Sequence, residues 1–98
     1  MIEYFKNYHI TFEEQDIIEA SLNKNVLHNF KVMEKNVCEV LAYLHEIGVR
    51  NLSNVIIFRP DIFFKTRNCL EEQFSKINIK LLISIIDNNI DDLVCFNI

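Results

Sequence analysis

Residues 33–49 of this 98-residue chain read MEKNVCEVLAYLHEIGV, and this stretch decides the expected fold. Its apolar side chains recur mostly every three or four positions, at Met33, Val37, Val40, Leu41, Leu44 and Ile47. Such spacing places them along one side of an α-helix. Gly48 and Val49 follow in the order of a C-terminal cap, in which glycine turns left-handed and an apolar residue folds back on the last turn. The stretch therefore predicts an amphipathic helix that ends at Ile47.

Three other triplets have the same order of an apolar residue, a residue that tolerates a left-handed backbone and a second apolar residue. They are Tyr8-His9-Ile10, Ile77-Asn78-Ile79 and Phe96-Asn97-Ile98. We expect each of them to end a helix. The chain also contains only one Gly and one Pro, too few for the many tight turns of a β-sandwich or barrel. The sequence therefore predicts an all-α fold.

Several helix starts are also marked in the sequence. Thr11 and Glu14 have the spacing of a capping box, which predicts a helix to about Leu22. A proline fits the first turn of a helix, and Thr and Asn side chains cap helix N-termini. Further starts are therefore predicted at Pro60, at Thr66 for a helix to about Lys76, and at Asn89.

Polar turn formers interrupt the apolar pattern three times, each time before an apolar restart at Val26, Ile62 or Ile90. The restarts lie roughly 30 residues apart, an interval typical of helical repeats. We therefore expect one domain over residues 1–98, a stack of about two and a half helical-hairpin repeats. Chance is the alternative explanation, because three matching points arise easily in a chain rich in Ile and Asn.

Residues 41–64 read LAYLHEIGVRNLSNVIIFRPDIFF and resemble the repeat of the mitochondrial transcription termination factor family. In that repeat, a leucine-rich helix ends in a Gly-apolar pair, a short helix follows, and a Pro opens the next helix. The matching positions are Leu41, Leu44, Gly48, Val49, Ile56, Ile57, Pro60, Ile62 and Phe63. The resemblance implies a packed helical hairpin, and it implies nucleic-acid binding, which members of the family perform along a basic concave face.

The charge of the chain favours a different partner. Fourteen acidic residues against ten basic ones give a net charge of −4, whereas nucleic-acid modules are usually basic. Residues 50–67 have the opposite balance, with Arg50, Arg59, Lys65 and Arg67 against the single acid Asp61. We interpret these four basic residues as a partner-binding site, because interfaces are enriched in Arg and aromatic residues. A phenylalanine exposed beside them, among Phe58, Phe63, Phe64 and Phe74, would complete a hot spot. In the alternative interpretation, the arginines pair within the protein with Glu39, Glu46 or Glu71.

No pattern in the sequence indicates catalysis, a cofactor or a metal. A glycine-rich phosphate loop cannot be written with Gly48 alone. The three histidines and three cysteines are isolated, without the spacing of zinc ligands or a nucleophile pair. Cys38, Cys69 and Cys95 are therefore expected to be small buried apolar residues in a reducing compartment.

These observations predict a non-enzymatic interaction domain in the cytoplasm that binds a larger protein. No apolar run reaches the ~20 residues that span a bilayer, so we expect no membrane partner. Small acidic proteins of this kind are often inhibitors or adaptors encoded by phages or other mobile elements. A nucleic-acid-binding module that uses Arg50, Arg59, Lys65 and Arg67 is the alternative, and the oligomeric state stays open.

Overall fold

Helices make up all the regular secondary structure of residues 2–98, which the computed structural model describes. There are 3₁₀ helices (η) and α-helices (α), in the order η1 (Glu3–Tyr8), α1 (Phe12–Ser21), α2 (Lys24–Val32), α3 (Glu34–Ile47), α4 (Leu52–Phe58), η2 (Pro60–Phe64), α5 (Arg67–Phe74), α6 (Ile79–Asn88) and η3 (Ile90–Phe96). The predicted all-α fold is confirmed.

The helix predicted from residues 33–49 is the central element of the core. It buries Val37, Val40, Leu41 and Leu44 completely, and η1, α2, α4, η2 and α5 all pack against it. Burying one side chain of this size contributes about 1.5–3 kcal/mol relative to leaving it in water. An amphipathic stripe at this spacing therefore organises most of the fold.

Three of the four predicted cap triplets have the expected left-handed residue at a helix end. Gly48 has φ 106°, and the backbone N–H of Val49 donates to the carbonyl of Leu44 at 3.0 Å. His9 and Asn97 have φ values of 63° and 61° after η1 and η3. The predicted ends after Tyr8, Ile47 and Phe96 are therefore confirmed.

The fourth triplet was assigned to the wrong end of a helix. Helix α5 ends at Phe74, and Asn78 has φ −58°. Its side-chain oxygen accepts hydrogen bonds from the backbone N–H groups of Lys80 and Leu81, at 3.0 and 3.4 Å. Asparagine suits both a left-handed C-cap and an N-cap, and here the free N–H groups of α6 determine its role.

Most of the predicted helix starts are also correct. Thr11 and Glu14 form the complete capping box, with hydrogen bonds of 3.1 and 3.0 Å. Thr66 caps α5, and Pro60 opens η2 as its first residue. Asn89 directly precedes η3, so the predicted start is confirmed, but its side chain makes no capping hydrogen bond.

An aromatic cluster joins the first half of the chain to the middle. Phe5, Phe30 and Phe63 are fully buried. The ring centroid of Phe30 lies 5.8 Å from that of Phe5 and 5.8 Å from that of Phe63. The hydroxyl of Tyr4 donates to the carbonyl of Phe30 at 2.6 Å. These contacts hold η1, α2 and η2 together around α3.

The repeat is harder to recognise in the structure than in the sequence. The helices that begin near Val26, Ile62 and Ile90 differ in type and length. The first, α2, is an α-helix of nine residues, whereas η2 and η3 are 3₁₀ helices of five and seven residues. The stack of two and a half hairpin repeats therefore stays a prediction.

The cysteines are less buried than the sequence indicated. Cys38 is half-buried, but Cys69 and Cys95 are exposed. Helix α5 buries Leu70 and Phe74, so the neighbouring Cys69 points to solvent. Burial was therefore the wrong expectation for two of the three. Among residues 2–98, no helix has the length and apolarity needed to cross a bilayer.

Candidate functional site

The four predicted site residues lie at separate points around the middle of the fold. Arg50 follows the end of α3, Arg59 joins α4 to η2, and Lys65 and Arg67 lie where η2 meets α5. Within residues 2–98, their side chains share no hydrogen-bonding partner. The structure therefore gives each of the four different surroundings.

Arg59 is a nearly buried internal clamp, with its side chain only 14% exposed. Its guanidinium donates two parallel hydrogen bonds to the carboxylate of Asp61, each 3.0 Å long, and a third to the backbone oxygen of Ile98. The bonds from Arg59 hold the pKa of Asp61 below its usual range, against the opposing effect of burial. Arg59 thus ties the end of α4 to the end of η3.

Arg67 is paired as the alternative interpretation predicts. It donates hydrogen bonds to Glu71 at 2.8 Å and to Glu46 at 2.7 Å, and its guanidinium lies 5.2 Å from the ring centroid of Tyr43. These contacts join α5 to α3. Two carboxylates therefore neutralise the positive charge of Arg67 within the protein.

The side chains of Arg50 and Lys65 have no carboxylate partner within residues 2–98. Lys65 is half-buried, and its ammonium donates to the side-chain oxygen of Gln73 at 3.3 Å. The guanidinium of Arg50 is exposed and makes no hydrogen bond or ion pair with residues 2–98; only its backbone N–H is bonded, to Asp87 at 3.3 Å. Two of the four basic residues therefore have no carboxylate partner within residues 2–98.

One of the four phenylalanines near the basic residues is exposed, as a hot spot requires. Phe58 directly precedes Arg59 and is 59% exposed, whereas Phe63 and Phe74 are buried and Phe64 is half-buried. Interface hot spots are often aromatic side chains held by well-packed neighbours. The hydrogen bonds of the nearly buried Arg59 hold the backbone next to Phe58 in place.

Exposed apolar side chains that the sequence analysis missed lie in the C-terminal segment. Val94 is 67% exposed and Phe96 is 41% exposed. In a 3₁₀ helix, residues three apart lie in line, so Phe96 continues the row of the buried Ile90 and Leu93. The 3.0-residue period of η3 would have revealed this row, but only if its helix type had been known.

The same segment carries negative charge and no basic residue of its own. Residues 81–98 include Asp87, Asp91 and Asp92 and no Lys, Arg or His. Asp91 and Asp92 are exposed, and their side chains make no hydrogen bond or ion pair within residues 2–98. A count of charges along the sequence could have found this signal.

Among residues 2–98, no group of three or more His, Cys, Asp or Glu side chains could hold a metal ion. Burial is the main effect that raises the pKa of the Cys38 thiol, which is the opposite of nucleophile activation. The carboxylate of Glu14 is engaged by Ser53 and by the capping box of α1.

The chain was compared with protein-family models, curated proteins and solved structures, and none of them matches it. The likeness of residues 41–64 to the mitochondrial transcription termination factor repeat therefore stays a prediction from sequence. Conclusions about function depend on the surface of this chain.

Proposed function

We propose that this chain is a non-enzymatic interaction domain that binds a larger protein in the cytoplasm. The observation that carries the proposal is the 59% exposure of Phe58 beside the nearly buried Arg59. An aromatic side chain on a rigid support loses little conformational entropy on binding and offers a large apolar contact. The small size and the acidity of the chain suit an inhibitor or adaptor of that partner.

The binding surface that we propose, called the Phe58 surface, consists of Phe58, Val94 and Phe96. Arg59 bonds to the backbone of Ile98, which brings the end of α4 to the end of η3. Phe96 is in line with the buried Ile90 and Leu93 along η3 and is itself exposed. The surface thus combines apolar side chains from two helices that pack together.

The charges around this surface favour a partner that carries basic residues. Asp91 and Asp92 belong to the same helix as Val94 and Phe96, and no basic residue follows Lys80. Charge complementarity of this kind speeds association and selects among partners. A phosphate backbone would instead be repelled, and Arg59 and Arg67 are already paired with carboxylates. We therefore rank a protein partner above nucleic acid.

A capture experiment tests the proposal. The tagged chain is used as bait in an extract of its source cell, and a retained protein is identified, produced and titrated directly. We expect Phe58→Ser to weaken binding about 30-fold, which corresponds to about 2 kcal/mol. Phe12→Ser is the matched control, because Phe12 is 67% exposed on α1 and should change affinity less than about twofold.

Two results would overturn the proposal. One is equal loss of binding in the Phe12 and Phe58 variants. The other is retention that nuclease abolishes, together with sub-micromolar binding of labelled oligonucleotides at ~0.15 M salt that weakens as salt is added. The second result would favour the nucleic-acid alternative, in which Arg50, Arg59, Lys65 and Arg67 contact phosphate.

A further inference from the structure

A cleft of about 360 Å³ between η1, α3 and the start of α4 contains two histidines that the proposed function does not use. His9 and His45 both line it, and their ring centroids are 6.1 Å apart. They are separated in the chain by all of α1 and α2 and most of α3, so only the fold brings them together. We call this cleft, lined by His9, Glu14, His45, Arg50 and Ser53 among others, the histidine cleft.

The backbone around His9 is fixed on both sides. The hydroxyl of Tyr8 donates to the carbonyl of Cys38 at 3.3 Å, and the side chain of Ile10 is buried. His9 itself has φ 63°, in the left-handed region that is costly for residues with a side chain. The two other left-handed caps use Gly48 and Asn97, which are the usual residues there. A histidine at this position therefore brings an imidazole where the backbone alone would favour Gly or Asn.

His45 meets His9 from the last turn of α3. Its backbone is held by the helix, and its carbonyl accepts the N–H of Gly48 at 3.1 Å. Both histidine side chains are exposed at the cleft, so both rings can rotate. The arrangement is a pair of imidazoles on two rigid elements with free movement only in the side chains.

The charged groups around the pair leave the two imidazoles as the available metal ligands. One carboxylate oxygen of Glu14 accepts from the N–H of Thr11 at 3.0 Å, and the other from the hydroxyl of Ser53 at 2.6 Å. Glu14 is therefore occupied as a ligand, but its negative charge offsets the positive charge of Arg50 in the same cleft. A cation bound by the imidazoles meets no net opposing charge from these two side chains.

We propose that His9 and His45 bind one divalent transition-metal ion of the kind that prefers imidazole, such as Zn²⁺, with water completing the coordination. Zinc about 2.0–2.1 Å from one nitrogen of each ring, in tetrahedral geometry, places the ring centroids about 5 Å apart. The rings must therefore approach by about 1 Å, which rotation about the side-chain bonds provides. The bound ion joins η1 to α3 and stabilises the fold, because the unfolded chain does not hold the two rings together.

Thermal unfolding with and without ZnCl₂ tests this site in a Cys69→Ser/Cys95→Ser background, which removes the exposed thiols as competing zinc ligands. We expect zinc to raise the melting temperature by at least about 4 °C at a hundredfold excess over Kd. MgCl₂ should have no effect, because magnesium prefers oxygen ligands.

The decisive variants remove one imidazole without breaking the backbone. His9→Asn keeps a residue that tolerates the left-handed conformation, and His45→Gln keeps a good helix former. Each should weaken zinc binding at least about tenfold by calorimetry and abolish the rise in melting temperature. His28→Gln is the matched control, because His28 is exposed on α2 and lies outside the cleft.

Three results would overturn the proposal. The first is a Cys69→Ser/Cys95→Ser chain that zinc does not stabilise. The second is an equal loss of zinc binding in the His28 variant. The third is stabilisation by inorganic phosphate alone that depends on His9 and Arg50, which would make the cleft an anion site.

Discussion

Residues 50–67 carry a net charge of +3 and residues 81–98 a net charge of −3, and the fold uses these charges differently. In the first, Arg59 and Arg67 are bound by Asp61, Glu46 and Glu71, so two of the four basic residues hold helices together. In the second, the aspartates of η3 remain unpaired beside exposed apolar side chains. The formal charge of a segment therefore predicts an interface only after its internal partners are known.

The largest effect in this comparison is expected at Arg59. Replacing Arg59 with Ala removes three hydrogen bonds and leaves Asp61 and the Ile98 carbonyl without their donor. We expect the free energy of unfolding to fall by about 2–3 kcal/mol in urea titrations. Arg50→Ala, at an unpaired position of the same segment, should change it by less than about 0.5 kcal/mol. Equal effects of the two variants would contradict the division into paired and unpaired arginines.

A smaller effect is expected at Gly48, where the two segments meet. At φ 106° a side chain is strained, and a Cβ added there would lie 3.3 Å from Cδ1 of Ile83 in α6. Gly48→Val should therefore lower the unfolding free energy by about 1–2 kcal/mol, measured as a lower melting temperature. Gly48→Asn should cost less, because Asn tolerates left-handed conformations better than Val. An unchanged melting temperature in the valine variant would show that the cap is not strained.

The smallest expected effect is a loss of folding stability at acid pH. The pKa of Asp61 is lower in the folded chain than in the unfolded one, so its ion pair stabilises above the unfolded pKa and is lost as pH falls through the folded pKa. Asp61 is about half exposed, and we expect a loss of no more than about 1 kcal/mol below pH ~4. Asp61→Asn should remove this part of the pH dependence in unfolding titrations from pH 2 to 7. A profile as steep as that of the wild type would assign the acid sensitivity to other groups.

Local chemistry explains why much of the fold could be predicted from the sequence. The stripe of α3, the capping box at Thr11 and the cap at Gly48 each depend on residues within one or two turns. The prediction for Asn78 is wrong because asparagine fits both a C-cap and an N-cap, and the free N–H groups of α6 make it an N-cap. Phe58 was among the candidates for exposure, but sequence alone could not separate it from Phe63 or Phe74.

The sequence by itself determined the helical class, the central helix and three of the four helix ends, because these follow from the spacing of neighbouring residues. Only the tertiary structure decided which charged side chains pair within the protein and which distant residues contact each other. The Arg59 clamp on Ile98 and the pairing of His9 with His45 join residues more than 30 positions apart. Contacts of that range depend on how whole helices pack, and no local pattern in this chain specifies them.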